Sequence, residues 1–257
     1  MIPLRPAALL LSLLAPLAAR PADPPRRSLA VAAAANLKPA LEALAKAFEA
    51  EQGVQVIVTL GASGNLFAQI QNGAPIDVFL SADRDYPRKL VEAGLADEQG
   101  EVLYAVGKLV VWTPAGSRID LGRDGLRALA SPEVKRIAIA NPATAPYGRA
   151  AQAALAAEGL TEAVQEKLVI GESVGQVSAF AASGNVEAAF LPLSLALAPE
   201  LAGGHSFEVP GRLHKPLEQS AVVVRAAREP ALARSFLAFL TGARGRGILS
   251  RSGYAAP

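Results

Sequence analysis

The sequence predicts an α/β protein of two lobes enclosing a cleft, and three observations predict it. From residue 28 onward short apolar runs alternate with amphipathic helical stretches, the pattern of parallel strands joined by crossover helices. That alternation runs twice, before and after a long apolar segment at 101–112 that is broken only by Gly107-Lys108. Several of the strands also end in small or hydroxyl-bearing residues directly ahead of a helix. Ligands of open α/β sheets sit beyond the carboxyl ends of the strands, where these junctions fall.

Taken in order, residues 29–34 form the first strand, and Asn36 stands where the following helix wants an N-cap. Leu37, Leu41, Leu44 and Phe48 then share one helical face, and Gly53 stops the helix near residue 52. Pro39 is tolerated because the first turn has no intrahelical N–H partners to lose. A β-branched run at 54–60 is the second strand, 65–71 a short helix ended by Gly73, 76–81 the third strand, and 86–93 a helix ended by Gly94. The run at 101–112 crosses between the lobes. A second α/β section follows, with strands at 136–140, 167–170 and 186–191 and helices at 149–158 and 174–183. Residues 202–216 read as a Gly- and Pro-rich loop, 220–225 as a strand, and 230–240 and 245–251 as closing helices. The expected division is a first lobe from 28–103 and 217–257 and a second from 104–216.

Residues 1–22 stand apart from the fold. Arg5 opens a short basic region, residues 7–18 are apolar but too few to span a bilayer, and residues 18–22 supply small side chains for cleavage. This is the pattern of a secretory signal peptide, and it implies a periplasmic or secreted protein. Removing those residues takes away Arg5 and Arg20 and no acid. The 25 Lys+Arg and 23 Asp+Glu of the chain become 23 of each. No basic patch then argues for nucleic acid or membrane lipid. With no cysteine in the chain, a lipoprotein anchor, disulfides and thiolate metal sites are all excluded.

The chemistry lies at four junctions: Ala33-Ala34-Ala35-Asn36-Leu37, Gly61-Ala62-Ser63-Gly64-Asn65, Ala145-Pro146-Tyr147-Gly148 and Glu172-Ser173-Val174-Gly175. A helix N-terminus carries unpaired N–H groups and the positive end of the dipole, so several converging on one point make an anion site. Ser63 can add its hydroxyl to a nest of N–H groups. Tyr147, between proline and glycine, reads as a loop residue at a lobe interface. Asp77 and Asp83 have no partner carboxylate or histidine at useful spacing and read as structural.

Together with Gly73-Ala74-Pro75-Ile76-Asp77-Val78-Phe79-Leu80-Ser81-Ala82-Asp83 and Asn141-Pro142, these junctions resemble the periplasmic molybdate-binding proteins of ABC transporters. The resemblance covers nearly all of residues 28–254. It implies a type II periplasmic-binding-protein fold, α/β, each lobe a mixed sheet flanked by helices and the ligand in the cleft between them. It implies capture of molybdate, and tungstate too, for an ABC permease, by a monomer that is not an enzyme and carries no cofactor. Carried over position by position, the oxyanion-binding residues are Ala35, Asn36, Ser63, Tyr147 and Val174, with no direct metal ligand. The chain departs from the family at Pro192, where many members have a tyrosine. Proline has neither N–H nor hydroxyl, so that contact is missing unless Tyr147 supplies it from the opposite side.

Two other functions fit parts of the sequence. A receptor for another tetrahedral oxyanion such as sulfate would use the same junctions. A secreted serine esterase would use Gly171-Glu172-Ser173-Val174-Gly175, which satisfies the nucleophile pattern G-x-S-x-G, with His205 or His214 downstream. Against the esterase, no His-Gly-Gly oxyanion motif precedes the serine, and the other three junctions would be left without a purpose.

Overall fold

A computed structural model describes residues 27–97 and 100–257. Residues 1–22, expected to be a signal peptide, lie outside the described residues. Two five-stranded mixed sheets form the frame. The first runs β2 (Gln55–Gly61), β1 (Ser28–Ala34), β3 (Val78–Leu80), β10 (Leu217–Val223) and β4 (Val102–Gly107). The second runs β7 (Leu168–Gly171), β6 (Ile137–Ala140), β8 (Ala188–Pro192), β5 (Leu109–Thr113) and β9 (His205–Glu208). In each sheet three parallel strands carry the crossover helices, and the strands brought in by the inter-lobe crossings run antiparallel to them.

The alanine-rich β1 is a strand although alanine favours helices. It is central and covered on both faces, and only small side chains fit there. Leu29, Val31 and Ala33 pack under the helices Lys38–Gln52 and Pro230–Thr241, where the rings of Phe48 and Phe236 meet edge-on at 5.0 Å. Ala32 faces the opposite way, toward Leu66, Phe79 and Leu90. The second lobe's core draws in Ala34, Ala35, Ala62 and Ala82 from the first lobe, so the two lobes are closed on one another.

Three boundaries differ from expectation. β4 continues to Gly107 in the first sheet and β5 begins at Leu109 in the second, so the chain crosses at Lys108 rather than at residue 104. The run reads as one apolar segment because both of its halves are buried strands. β9 forms inside the segment expected to be loop, as an edge strand on β5, with His205 opposite Thr113. Its outward side chains leave no apolar alternation to detect. Tyr147 lies in the first turn of the helix Pro146–Ala157, not in a loop, because Pro146 takes the N1 position.

Asp77 shows why a buried carboxylate belongs in this frame. It is 2% exposed. Oδ2 accepts from the N–H of Ala30 at 2.7 Å and Oδ1 from that of Arg228 at 2.8 Å, tying β1 to the segment after β10. Asp77→Ala should orphan both N–H groups at a cost of about 1–3 kcal/mol each. A urea midpoint for that variant equal to the wild type's would show that the carboxylate carries no structural weight.

Candidate functional site

Register sets the site. Ala34 of β1 lies opposite Gly61 of β2, and Ala140 of β6 opposite Gly171 of β7, so in each lobe two parallel strands end side by side. From those ends start the 3-10 turn Ala35–Leu37 and the helices Ser63–Gln71, Pro146–Ala157 and Val174–Ala182. The first two belong to one lobe and the last two to the other. Ala35, Ser63, Tyr147 and Val174 line a single small pocket of about 10 Å³, and no Lys, Arg, Asp or Glu lines it. All four are buried, Ser63 at 1% and Tyr147 at 2% exposure.

Ser63 is the first residue of its helix and Val174 of its own, while Tyr147 is the second, so their N–H groups have no intrahelical acceptor. The two hydroxyls are polarised in the same sense. Ser63 Oγ accepts from the N–H of Ala82 at 3.0 Å, and Tyr147 Oη accepts from Gln219 Nε2 at 3.1 Å. The hydrogen of each finds no acceptor among the described residues. Burial pushes the Tyr147 phenol well above its ordinary pKa, so it keeps that hydrogen. The residues around the pocket thus carry N–H and O–H groups without an acceptor, at the starts of three helices.

Asn36 is placed differently from the other four. It does not cap the helix Lys38–Gln52, whose N-cap is Leu37 with no side-chain bond. Fully buried, its Nδ2 donates to Gln219 Oε1 at 2.9 Å and to Tyr254 Oη at 2.8 Å, while Oδ1 is buried without a partner. Its side chain supports the pocket from behind; its backbone lies in the 3-10 turn beside Ala35. Ser194 Oγ donates to the Asn36 carbonyl at 2.9 Å, and Tyr254 Oη lies 2.7 Å from that same oxygen. Pro192 ends β8 opposite Leu109, so the segment after that strand contributes Ser194 to this cluster. Gln219, Tyr254, Tyr104 and Ser194 were not singled out from the sequence. The one available signal was the polar stretch Glu218-Gln219-Ser220 inside an otherwise apolar strand.

Around the pocket the lobes are joined directly. The N–H of Gly64 donates to the Thr144 carbonyl at 2.9 Å, Asn65 Nδ2 to Glu172 at 3.2 Å, and Tyr86 Oη to the Ala143 carbonyl at 3.3 Å. A methyl group on Gly64 would overlap the Tyr86 hydroxyl and press on Thr144, so only glycine permits this approach. Arg149 pairs with Asp83 across the cleft and lies 5.4 Å from the centre of the Tyr86 ring.

Ser173 is the N-cap of the helix Val174–Ala182, its Oγ accepting from the N–H of Gln176 at 3.4 Å. His214 Nδ1 contacts the carbonyl of Lys215, and His205 lies exposed on β9. The glycine-flanked serine therefore serves a cap.

Fold and site together define a two-lobed receptor that closes over one small solute. The family model for bacterial extracellular solute-binding proteins matches residues 29–255. The molybdate-binding protein ModA of Azotobacter vinelandii is 40% identical over 225 residues, 87% of this chain and 88% of that one. ModA of Rhodobacter capsulatus is 38% identical over 223 residues, 87% and 86% of the two chains. The solved Azotobacter vinelandii periplasmic molybdate-binding protein superposes with a TM-score of 0.83 at 35% identity, over 89% of this chain and 99% of that one. The chain belongs to the bacterial extracellular solute-binding proteins, in their branch of periplasmic molybdate-binding proteins. It is a binding protein and not an enzyme.

Burial raises the Asp83 carboxyl above its ordinary pKa, outweighing the hydrogen bonds from Ser81 and the Tyr86 N–H and the charge of Arg149. An acid with a raised folded-state pKa gains stability as pH falls through that value, and the gain is complete below the unfolded-state value. Wild type should therefore gain stability relative to Asp83→Asn as pH falls toward the ordinary carboxylate value of about 4. Denaturation midpoints drifting the other way would mean that the Arg149 pair outweighs burial.

Proposed function

We propose that this protein binds molybdate, and tungstate as well, between its lobes outside the cytoplasmic membrane and hands it to an ABC permease. The observation that carries the reading is the pair of buried hydroxyls, Ser63 and Tyr147. Both already accept an N–H, and both stand in a pocket lined by helix N-termini and no charged side chain. Neutral donors aimed from helix ends suit a dianion that carries no proton near neutral pH. The relatives' names supply molybdate among such ions. The binding set is Ala35, Asn36, Ser63, Tyr147 and Val174. Ala35, Asn36 and Val174 act through backbone N–H groups, and Ser63 and Tyr147 add hydroxyls. Lobe closure around the anion is the whole mechanism. Residues 1–22 are the export signal, and the mature protein acts as a monomer.

Thermal melts with molybdate, tungstate, sulfate and phosphate test this, since a ligand at 100 times its Kd adds about 2.7 kcal/mol. Molybdate and tungstate should raise the midpoint. Hydrogen phosphate brings an O–H that needs an acceptor, and leaving it unpaired costs about 1–3 kcal/mol, so phosphate should bind roughly five- to a hundredfold worse than molybdate. Equal displacement of molybdate by phosphate would sink the all-donor site.

Two substitutions separate binding from hydrolysis. Ser63→Ala should lose about 1–3 kcal/mol of molybdate affinity, the range for hydrogen bonds to a charged partner. Ser173→Ala should leave binding largely intact, because Val174 contributes its N–H and not a side chain. Esterase activity that disappears with Ser173→Ala would overturn the binding reading.

A further inference from the structure

Gln219 sits on β10 where that strand slips register against β4, between Gln219 and Ser220. It is fully buried, and its amide reaches three side chains. Oε1 accepts from Asn36 Nδ2 at 2.9 Å and lies 3.0 Å from Tyr104 Oη, while Nε2 donates to Tyr147 Oη at 3.1 Å. Asn36 belongs to the first lobe's half of the site and Tyr147 to the second's. The room for this meeting is left by Gly107, the last residue of β4 before the crossing. A methyl group there would overlap both the Tyr147 hydroxyl and the Gln219 amide.

An amide carries its donor and its acceptor at opposite ends. Because one end of Gln219 faces Asn36 and the other Tyr147, the two partners cannot be set independently. With Nε2 toward Tyr147, the phenol oxygen accepts and its hydrogen is left to give. Turned over, Gln219 would take that hydrogen on Oε1. Asn36 would then have to present its oxygen to Gln219 and move its own N–H groups to where Oδ1 now lies unpartnered. Each orientation frees one donor and consumes the other.

We propose that Gln219 is a positioning residue for oxyanion recognition. It ties the Asn36 side chain to the Tyr147 hydroxyl across the cleft, so that the pair presents one oriented donor. Lobe closure sets that donor, because closure brings Tyr147 to Gln219. This inference rests on the oxyanion reading above and adds a determinant of selectivity behind the binding residues.

The test is titration calorimetry near neutral pH with sodium molybdate and with inorganic phosphate. It uses wild type, Gln219→Met, Tyr147→Phe and the double variant. Gln219→Met should weaken molybdate binding by about tenfold, and added to Tyr147→Phe it should cost less than about twofold more, since coupled residues are non-additive. It should also narrow the preference for molybdate over phosphate, which a general loosening of the fold would leave unchanged. Additive losses, or an unchanged preference, overturn the inference while leaving the oxyanion reading in place. A wild type that binds no molybdate overturns both. Melting of each unliganded variant reports its folding. If Gln219→Met does not fold, Gln219→Glu replaces it: a carboxylate accepts at both ends and draws the Tyr147 hydrogen, so the same narrowing and the same non-additivity with Tyr147→Phe are expected. Their absence overturns the inference equally.

Discussion

A backbone N–H removed from water must be given an acceptor, and this architecture removes several at once. Turns and helices begin at the ends of β1, β2, β6 and β7, and the lobes press those beginnings together. Part of the demand is met within the protein: the Gly64 N–H goes to Thr144 and the Ala82 N–H to Ser63. What remains points to a ligand rich in lone pairs and poor in protons. The sheet registers, the small residues at each junction and the absence of charge around the pocket all serve that one constraint.

Charge is kept at a distance from the pocket. The cross-cleft pair of Asp83 and Arg149 stands at the rim, and a cationic side chain at the centre is replaced by dipoles whose positions are fixed by helices. A fixed dipole needs no counter-ion of its own and costs no side-chain entropy when the lobes close. The buried polar cluster of Asn36, Gln219, Tyr104, Tyr147, Tyr254 and Ser194 then keeps the surrounding wall rigid, since every member holds at least one partner.

The sequence disclosed the elements that depend on local pattern and hid those that depend on distant partners. Strands such as β1 and β2 and the junctions at Ser63 and Val174 were legible because apolar period and small-residue punctuation are local signals. Asn36 reads as a helix cap because the cap preference is local. The contacts that claimed its side chain come from Gln219 and Tyr254, 183 and 218 residues away. Lys108 was hidden inside a continuous apolar run, and β9 inside a Gly- and Pro-rich stretch. The Asp83–Arg149 pair could not be read at all, since neither residue says which lobe it will face.

The distance between Asn36 and its partners has a temporal meaning. A chain made amino end first delivers the Ala35–Leu37 turn early and Tyr254 almost last. The first lobe needs β10 to join β3 to β4, and the wall behind the pocket needs the final turn of the chain. Contacts that close such long loops form late. The wall behind the pocket is therefore among the last parts of the fold to be completed, and a truncated chain lacks the Tyr254 contacts that fix Asn36.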